Sequence, residues 1–137
     1  MNAPADPFER TEVRDGMRIT WHQRIVMADG LVLRADVFRP VADVKCPVVL
    51  TYGIYAKGLA YQEGYPLQWN KMVEDHPEIL KMSSNKYQNW ETTDPECWVP
   101  HGYAIVRVDS RGAGWSPGFM DPASPQEIDD LYECIEW

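Results

Sequence analysis

The segment Asp109–Gly118 reads DSRGAGWSPG, and it joins an apolar run at 103–108 to a helix-start signal at 124–127. Its first two glycines permit positive φ angles and close backbone packing, and its arginine offers a planar guanidinium to a carboxylate or to backbone carbonyls. We therefore interpret the segment as a structural turn rather than a catalytic loop, with Asp109, Arg111, Gly112 and Gly114 as its key residues.

A similar motif occurs in dinucleotide-binding proteins, where a Gly-x-Gly after a strand binds a phosphate. Here the third glycine position holds Pro117. The next helix begins about ten residues later, so that no helix N-terminus would meet a phosphate. Dinucleotide binding is therefore disfavoured.

Strand signals precede the turn. Residues 47–52 and 103–108 are continuous apolar, β-branched runs, typical of strands buried on both faces of a parallel sheet. Earlier in the chain, 18–27 and 31–38 flank Ala28-Asp29-Gly30, which predicts an antiparallel hairpin. Pro40 is expected to end its second strand, because proline lacks a ladder donor.

Helices are expected between and after these strands. The long connection between the two apolar runs is too long to lack secondary structure, and 66–80 and 94–99 can supply helices. Residues 124–127 read SPQE, a capping box with proline at the first helical position. The apolar stripe predicted for that helix consists of Ile128, Leu131, Tyr132 and Ile135. No C-cap follows Trp137, so the helix looks cut and we expect the chain to be a fragment.

Composition excludes several partners. The net charge is −8, from 21 acidic and 13 basic residues, which disfavours nucleic acid and anionic membranes. No window approaches the ~20 apolar residues of a membrane span, and no signal peptide is evident, so a cytoplasmic protein is expected. Cys46, Cys97 and Cys134 are widely spaced and predicted to be free thiols, and no metal site is predicted.

Taken together, the order of these elements and three further motifs resemble the CocE/NonD hydrolases, which are relatives of cocaine esterase, α-amino-acid ester hydrolases and Xaa-Pro dipeptidyl-peptidases. The motifs are 27–40, MADGLVLRADVFRP; 52–58, YGIYAKG; and 135–137, IEW. The resemblance implies the N-terminal part of an α/β-hydrolase fold: a β-hairpin, then a mainly parallel sheet flanked by helices, truncated before the nucleophile strand. It divides the chain into a loose lead-in, 1–17, and an incomplete α/β-hydrolase domain, 18–137.

The resemblance also implies a function, namely cleavage of carboxylic ester or amide bonds, including Xaa-Pro peptide bonds, by a serine nucleophile through an acyl-enzyme. No metal or organic cofactor is needed, and the substrate is a small-molecule ester or amide, or a peptide. Tyr55 matches the family tyrosine that donates its hydroxyl to the oxyanion. Ile54 stands where the family often has proline, and simple packing of Tyr55 over the sheet edge is the alternative.

Aromatic residues enrich the long connection, and they can either line a substrate pocket or pack in the core. The pocket candidates are Tyr52, Tyr87 and Trp90. No G-x-S-x-G motif is present, so no complete triad can be assembled and the 137 residues alone are expected to be inactive. A different reading is a non-catalytic α/β binding module or pseudoenzyme, and the oligomeric state stays open.

Overall fold

The computed structural model describes residues 6–137, and its centre is a five-stranded sheet with the strand order β1-β2-β3-β5-β4. Neighbouring strands pair antiparallel except β4 and β5, which run parallel. The strands are β1 (Arg10–Arg14), β2 (Met17–Val26), β3 (Val32–Pro40), β4 (Val48–Gly53) and β5 (Ala104–Asp109).

The predicted hairpin and both apolar strands are confirmed. β2 and β3 pair antiparallel around the Asp29-Gly30 turn, where Gly30 has a φ of 86° that only glycine adopts easily. All six residues of β5 are buried, as expected of a strand between two neighbours and covered on both faces. β4 lies at the edge of the sheet beside it, and it is exposed at Val48 and only partly buried over the rest of its length, so the predicted burial on both faces is wrong for this strand.

The first residues of the described chain correct the expectation of a loose lead-in. Residues 10–14 form β1, which pairs with β2 in register from Arg10 opposite Trp21 to Arg14 opposite Met17. The Trp21 indole N–H donates to Glu12 at 2.7 Å across this pair. β1 is mostly exposed, so its sequence lacks the buried apolar positions by which the other strands were recognised.

The helices lie in the connection between β4 and β5 and at the end of the chain. The predicted helix at 66–80 is divided, because Pro77 lacks an N–H and disfavours helical angles at His76, whose φ and ψ are −135° and 66°. The helices are α1 (Tyr61–Gly64), α2 (Pro66–Asp75), α3 (Pro95–Trp98) and α4 (Pro125–Glu136), with 3-10 turns at Pro77–Lys81 and Val99–His101.

Two hydrophobic clusters cover the two faces of the sheet. On one face, Leu33, Val106 and Val108 pack with Cys134 of α4. On the other face, Phe38 and the residues around it pack against the connection between β4 and β5, chiefly through Tyr87 and Val99. The connection and α4 thus lie on opposite sides of the sheet. Within residues 6–137, no helix combines the length and apolar character needed to cross a bilayer.

The helix α4 begins as predicted, but its buried face differs from the prediction. The Ser124 side chain caps it by accepting from the Glu127 N–H at 3.2 Å. Its buried residues are Asp130 and Cys134, whereas the predicted stripe is exposed: Ile128 64%, Leu131 36%, Tyr132 62% and Ile135 63%. The ion pair of Asp130 with Arg111 holds this face of the helix toward the sheet.

These features predict how the 137-residue polypeptide behaves alone. The β4 edge offers unpaired backbone groups and a Val48 side chain that is 57% exposed, and α4 shows an apolar surface beside it. We expect self-association and low solubility, measured by size-exclusion chromatography. A monodisperse chain with one cooperative unfolding transition in urea would contradict this expectation.

Candidate active site

Tyr55 lies two residues beyond the end of β4, at the carboxyl edge of the two parallel strands. Ligands in open α/β sheets commonly bind at this edge. The Tyr55 side chain is 43% exposed, and its ring stands nearly perpendicular to the ring of Tyr65, with the centroids 6.3 Å apart. Trp90 flanks it at 6.5 Å. Aromatic neighbours therefore restrict the Tyr55 ring while the side chain still reaches solvent.

A cleft of about 100 Å³ opens beside Tyr55. It lies between the end of β4 and the segment 89–92, and its wall includes Thr51, Lys57, Trp90 and Arg107. Of the predicted pocket residues, Trp90 lines the cleft. Tyr52 borders it as well, but the Tyr52 side chain packs with the cluster on the opposite face of the sheet.

Tyr87 does not line the cleft at Tyr55. It is 7% exposed and packs in the second hydrophobic cluster, with its ring centroid 5.6 Å from that of Phe38. Its hydroxyl donates to the carboxylate of Asp15. Burial raises the pKa of this phenol. The structure therefore brings Tyr55 and Trp90 together at one cleft, with Tyr52 at its border but its side chain on the opposite face of the sheet, and it places Tyr87 elsewhere.

The loop that carries Tyr55 is anchored by a buried ion pair. The Lys57 ammonium lies 2.8 Å from Asp36 Oδ1 on β3, and the two side chains are only 1% and 2% exposed. The ammonium also lies 3.0 Å from His22 Nδ1. Burial, with the nearby ammonium, lowers the pKa of His22, so this nitrogen is an acceptor toward Lys57 at neutral pH.

The position of His22 depends on an irregularity in β2. The pairing of β2 with β3 shifts register between Thr20 and Gln23, and His22 has a φ of 56°. Its backbone N–H then donates to Asp36 Oδ1 at 3.0 Å. A β-bulge of this kind re-aims a side chain, and here the imidazole is turned toward Lys57.

Asp109 connects the Tyr55 loop to the glycine-rich turn. One carboxylate oxygen accepts the Lys57 backbone N–H at 2.7 Å, and the other accepts the Trp115 N–H at 2.8 Å. Burial raises the pKa of this carboxyl against the lowering effect of the two donors. Gly114 has a φ of 50°, and a Cβ there would collide with the Asp109 carboxylate, so the turn needs glycine at this position.

Two of the six non-glycine residues with a positive φ among residues 6–137 lie in the same region. Ala56, directly after Tyr55, has a φ of 61°, and Glu91, directly after Trp90, has a φ of 53°. A left-handed conformation costs a residue with a Cβ roughly 1–2 kcal/mol. Such residues cluster at functional sites, where the surrounding structure holds them in place. Both strained positions lie beside the cleft.

Arg111 holds the turn to α4 and to the hairpin. Its Nε and Nη2 donate to the two oxygens of Asp130, each at 2.8 Å, and its Nη1 lies 2.8 Å from Asp29 Oδ2. The Arg111 side chain is 15% exposed and that of Asp130 is fully buried. These hydrogen bonds raise the pKa of Arg111, which keeps its charge at all working pH values. The contacts are those of a structural residue.

We expect Arg111→Ala to lower the free energy of unfolding, because the buried Asp130 loses its cation and its Oδ2 is left unpaired at about 1 to 3 kcal/mol, while Oδ1 keeps the Gln126 amide. Thermal and urea denaturation of the variant protein measure the loss. Arg24→Ala is the matched control, since Arg24 is 39% exposed and lies 3.8 Å from its carboxylate partner. An unchanged melting temperature for Arg111→Ala would refute a structural role.

Sequence reasoning missed the contacts of Lys57, Asp36 and His22. The first two stand inside the quoted motifs 52–58 and 27–40, so the motifs themselves marked them. Asp36 itself gave a further signal, because it is a carboxylate between apolar residues of a predicted strand. A carboxylate buried in a strand requires a partner. Nothing in the local pattern identified that partner as Lys57.

The described serines include none placed as a nucleophile. Ser116 Oγ is buried, donates to the backbone oxygen of Asp109 at 2.6 Å and accepts the Arg34 N–H at 2.9 Å. Ser110 Oγ is buried without a hydrogen-bond partner in the part of the chain described. Residues 6–137 also contain no group of side chains arranged to hold a metal ion.

Comparisons with known proteins agree with this architecture. The X-Pro dipeptidyl-peptidase (S15 family) profile matches residues 29–137. Two crystal structures of a CocE/NonD family hydrolase from Staphylococcus aureus match with TM-scores of 0.70 and 0.74 at 32% and 29% identity. They cover 88% and 98% of this chain, which covers 20% and 24% of theirs.

An α-amino acid ester hydrolase shares the fold, with a TM-score of 0.52 at 19% identity over 99% of this chain and 22% of that one. No curated protein matches. The chain thus spans less than a quarter of the length of these solved structures. The predicted resemblance and the predicted fold class are both confirmed.

Proposed function

The chain belongs to the X-Pro dipeptidyl-peptidase (S15) family and is of the hydrolase type, and from this membership we propose that it forms the oxyanion side of a serine hydrolase active site. The observation that carries the proposal is the position of Tyr55, a partly exposed phenol at the carboxyl edge of β4, inside a cleft and on a strained, anchored loop. A full-length protein would supply the serine, the acid and the histidine.

The role proposed for Tyr55 is to stabilise the negative charge that develops on the substrate carbonyl oxygen during the reaction. When a serine oxygen attacks an ester or amide carbonyl, the C=O π electrons move to oxygen and a tetrahedral oxyanion forms. The Tyr55 hydroxyl donates a hydrogen bond to that oxygen, beside a backbone N–H from the residue after the serine. The histidine takes the serine proton during the attack and gives it to the leaving alcohol or amine, which departs as the intermediate collapses to an acyl-enzyme that water hydrolyses.

The substrate class proposed is a carboxylic ester or amide, Xaa-Pro peptide bonds included. Support comes from the aromatic residues Tyr55 and Trp90 in the wall of the cleft. Behind this wall the Trp90 ring packs 4.5 Å from that of Tyr65 and 5.2 Å from that of Tyr61. Packed aromatic rings favour an apolar acyl or leaving group beside the reacting carbonyl. The mechanism requires neither a metal nor an organic cofactor.

Labelling with a fluorophosphonate tests this proposal. The protein translated from the complete coding sequence should label at one serine that follows Trp137 in the chain. The 137-residue polypeptide should neither label nor hydrolyse an ester, because none of its serines lies on a strand-to-helix elbow. Labelling of Ser110 or Ser116, or failure of the natural-length protein to label at all, would overturn the proposal.

A binding module without catalysis is the second candidate, and the aromatic cleft favours it because ring stacking alone suffices for ligand binding. It predicts a natural-length protein that binds esters at the cleft but does not turn them over. Ester turnover together with serine labelling excludes it.

A further inference from the structure

Arg107 is a buried cation that forms no ion pair with a carboxylate among residues 6–137. It lies on β5, opposite Asp36 of β3 and Thr51 of β4, and it is 2% exposed. Its Nη2 donates to the Thr93 carbonyl at 2.7 Å, but its Nε is buried without a partner among residues 6–137. Within that range no ion pair forms, in contrast to the doubly paired Arg111.

An unpaired buried guanidinium is costly, because it has lost its hydration without gaining an anion. Besides the Thr93 carbonyl, the guanidinium is accompanied by the ring of Phe38, whose centroid lies 5.3 Å from the guanidinium carbon. Burial lowers the pKa of Arg107 to about 10, although Asp94 and Asp36 act in the opposite direction. The site is therefore short of negative charge.

A second cavity, of about 240 Å³, adjoins Arg107. Four cations line it, namely Arg14, Lys57, Lys86 and Arg107, and none of its described lining residues is acidic, in a chain whose net charge is −8. Three of these cations have carboxylate partners outside the lining: Lys57 pairs with Asp36, and Lys86 and Arg14 pair with Asp15. Arg107 is the exception.

The remaining walls of the cavity are aromatic. Trp21, Phe38 and Tyr87 line it, and the face of Phe38 is already covered by Arg107. The rings of Trp21 and Tyr87 lie 6.5 Å apart at 30° to one another, and each has a cation over one face, Arg10 at 5.8 Å from the Trp21 centroid and Lys86 at 5.3 Å from that of Tyr87. A ligand with a flat apolar body can contact these two rings while its anionic end reaches Arg107.

We propose that this cavity binds a small aromatic carboxylate, with the carboxylate accepting hydrogen bonds from Arg107. A guanidinium is planar and matches a carboxylate with two parallel hydrogen bonds, which an ammonium does not. The cavity lies across a wall formed by Lys57, Asn89 and Arg107 from the cleft of Tyr55. The proposal therefore stands apart from the proposed hydrolytic function.

Benzoate is the probe, titrated by isothermal calorimetry into the natural-length protein at constant ionic strength. Benzamide has the same body without the charge, acetate has the charge without the body, and phosphate is a tetrahedral anion. Benzoate should bind with 1:1 stoichiometry and more tightly than all three. Because hydrogen bonds to charged groups are the strong ones, Arg107→Met should weaken it at least about tenfold.

Two variants serve as controls. Arg39 also has a buried Nε without a partner, but it pairs with Asp43 and lies away from the cavity, so Arg39→Met should bind benzoate as the wild type does. Tyr55→Phe should bind it equally well, which separates this cavity from the cleft. In the wild type, the Arg107 Nε–H NMR resonance should shift on addition of benzoate, and this measurement does not depend on the variant folding.

The opposite results overturn the proposal. The proposal is wrong if benzoate shows no saturable binding, or if wild type and Arg107→Met bind it equally well. It is also wrong if the Arg107 Nε–H resonance does not move, if Tyr55→Phe loses binding, or if phosphate binds more tightly than benzoate. If Arg107→Met is more stable than wild type and benzoate does not bind, the buried cation only lowers stability and has no role in ligand binding.

Discussion

Tyr55→Phe should lower kcat of the natural-length hydrolase about 100- to 1,000-fold while leaving KM nearly unchanged, because one preorganised oxyanion donor contributes about that factor. The change removes a single oxygen, and the ring keeps its contacts with Tyr65 and Trp90. A hydrogen bond made only to the oxyanion affects the transition state and not the bound substrate. Steady-state kinetics on an activated ester measure both constants.

Tyr65→Phe is the matched control for this experiment. Its ring lies in the same aromatic group, but no role in the reaction is proposed for its hydroxyl, so kcat should stay within about threefold of wild type, a difference well below one kcal/mol. Equal losses in the two variants would show that Tyr55 acts through packing. An unchanged kcat in Tyr55→Phe would remove it from the mechanism.

Lys57→Met should lower the free energy of unfolding by about 3 to 5 kcal/mol, because removing one partner of a buried ion pair leaves the other charge uncompensated. Both side chains are almost fully buried, and Asp36 cannot move to solvent without breaking β3. Met has nearly the length of Lys, so the loss reports the charge rather than a cavity. Urea denaturation of the natural-length protein measures it.

Two further variants separate the charge from other effects. Adding Asp36→Asn to Lys57→Met removes the stranded carboxylate and should recover part of the loss. Lys71→Met breaks an exposed pair with Asp75, whose side chains are 65% and 47% exposed, and should cost less than about 1 kcal/mol. Lys57→Met as stable as wild type would contradict the anchoring role of this pair.

Sequence patterns predicted the elements whose signals are local. The Asp29-Gly30 turn and the apolar run of β5 each fix a structure through a few adjacent residues, and both were located within a residue or two. The buried face of α4 could not be predicted in this way. Its hydrophobic stripe suggested one face, but the ion pair of Arg111 with Asp130 selects another.

The residues of the candidate site also fall into those with a local sequence signal and those without one. Tyr55 and the glycine-rich turn stand in recognisable motifs, so the sequence marked them. The contact of Lys57 with Asp36 and His22 joins residues 21 and 35 positions apart. It also depends on a bulge that gives His22 a positive φ, a conformation that histidine rarely adopts. No periodicity in the sequence encodes such a contact.

A crystal structure of the natural-length protein with a phosphonate bound covalently to its serine tests the central claim most directly. The phosphonyl oxygen occupies the place of the oxyanion. We predict that it lies about 2.6 to 3.0 Å from the Tyr55 hydroxyl oxygen, as an O–H···O hydrogen bond requires. A phosphonyl oxygen held by other donors, with the Tyr55 hydroxyl turned away from it, would contradict the account.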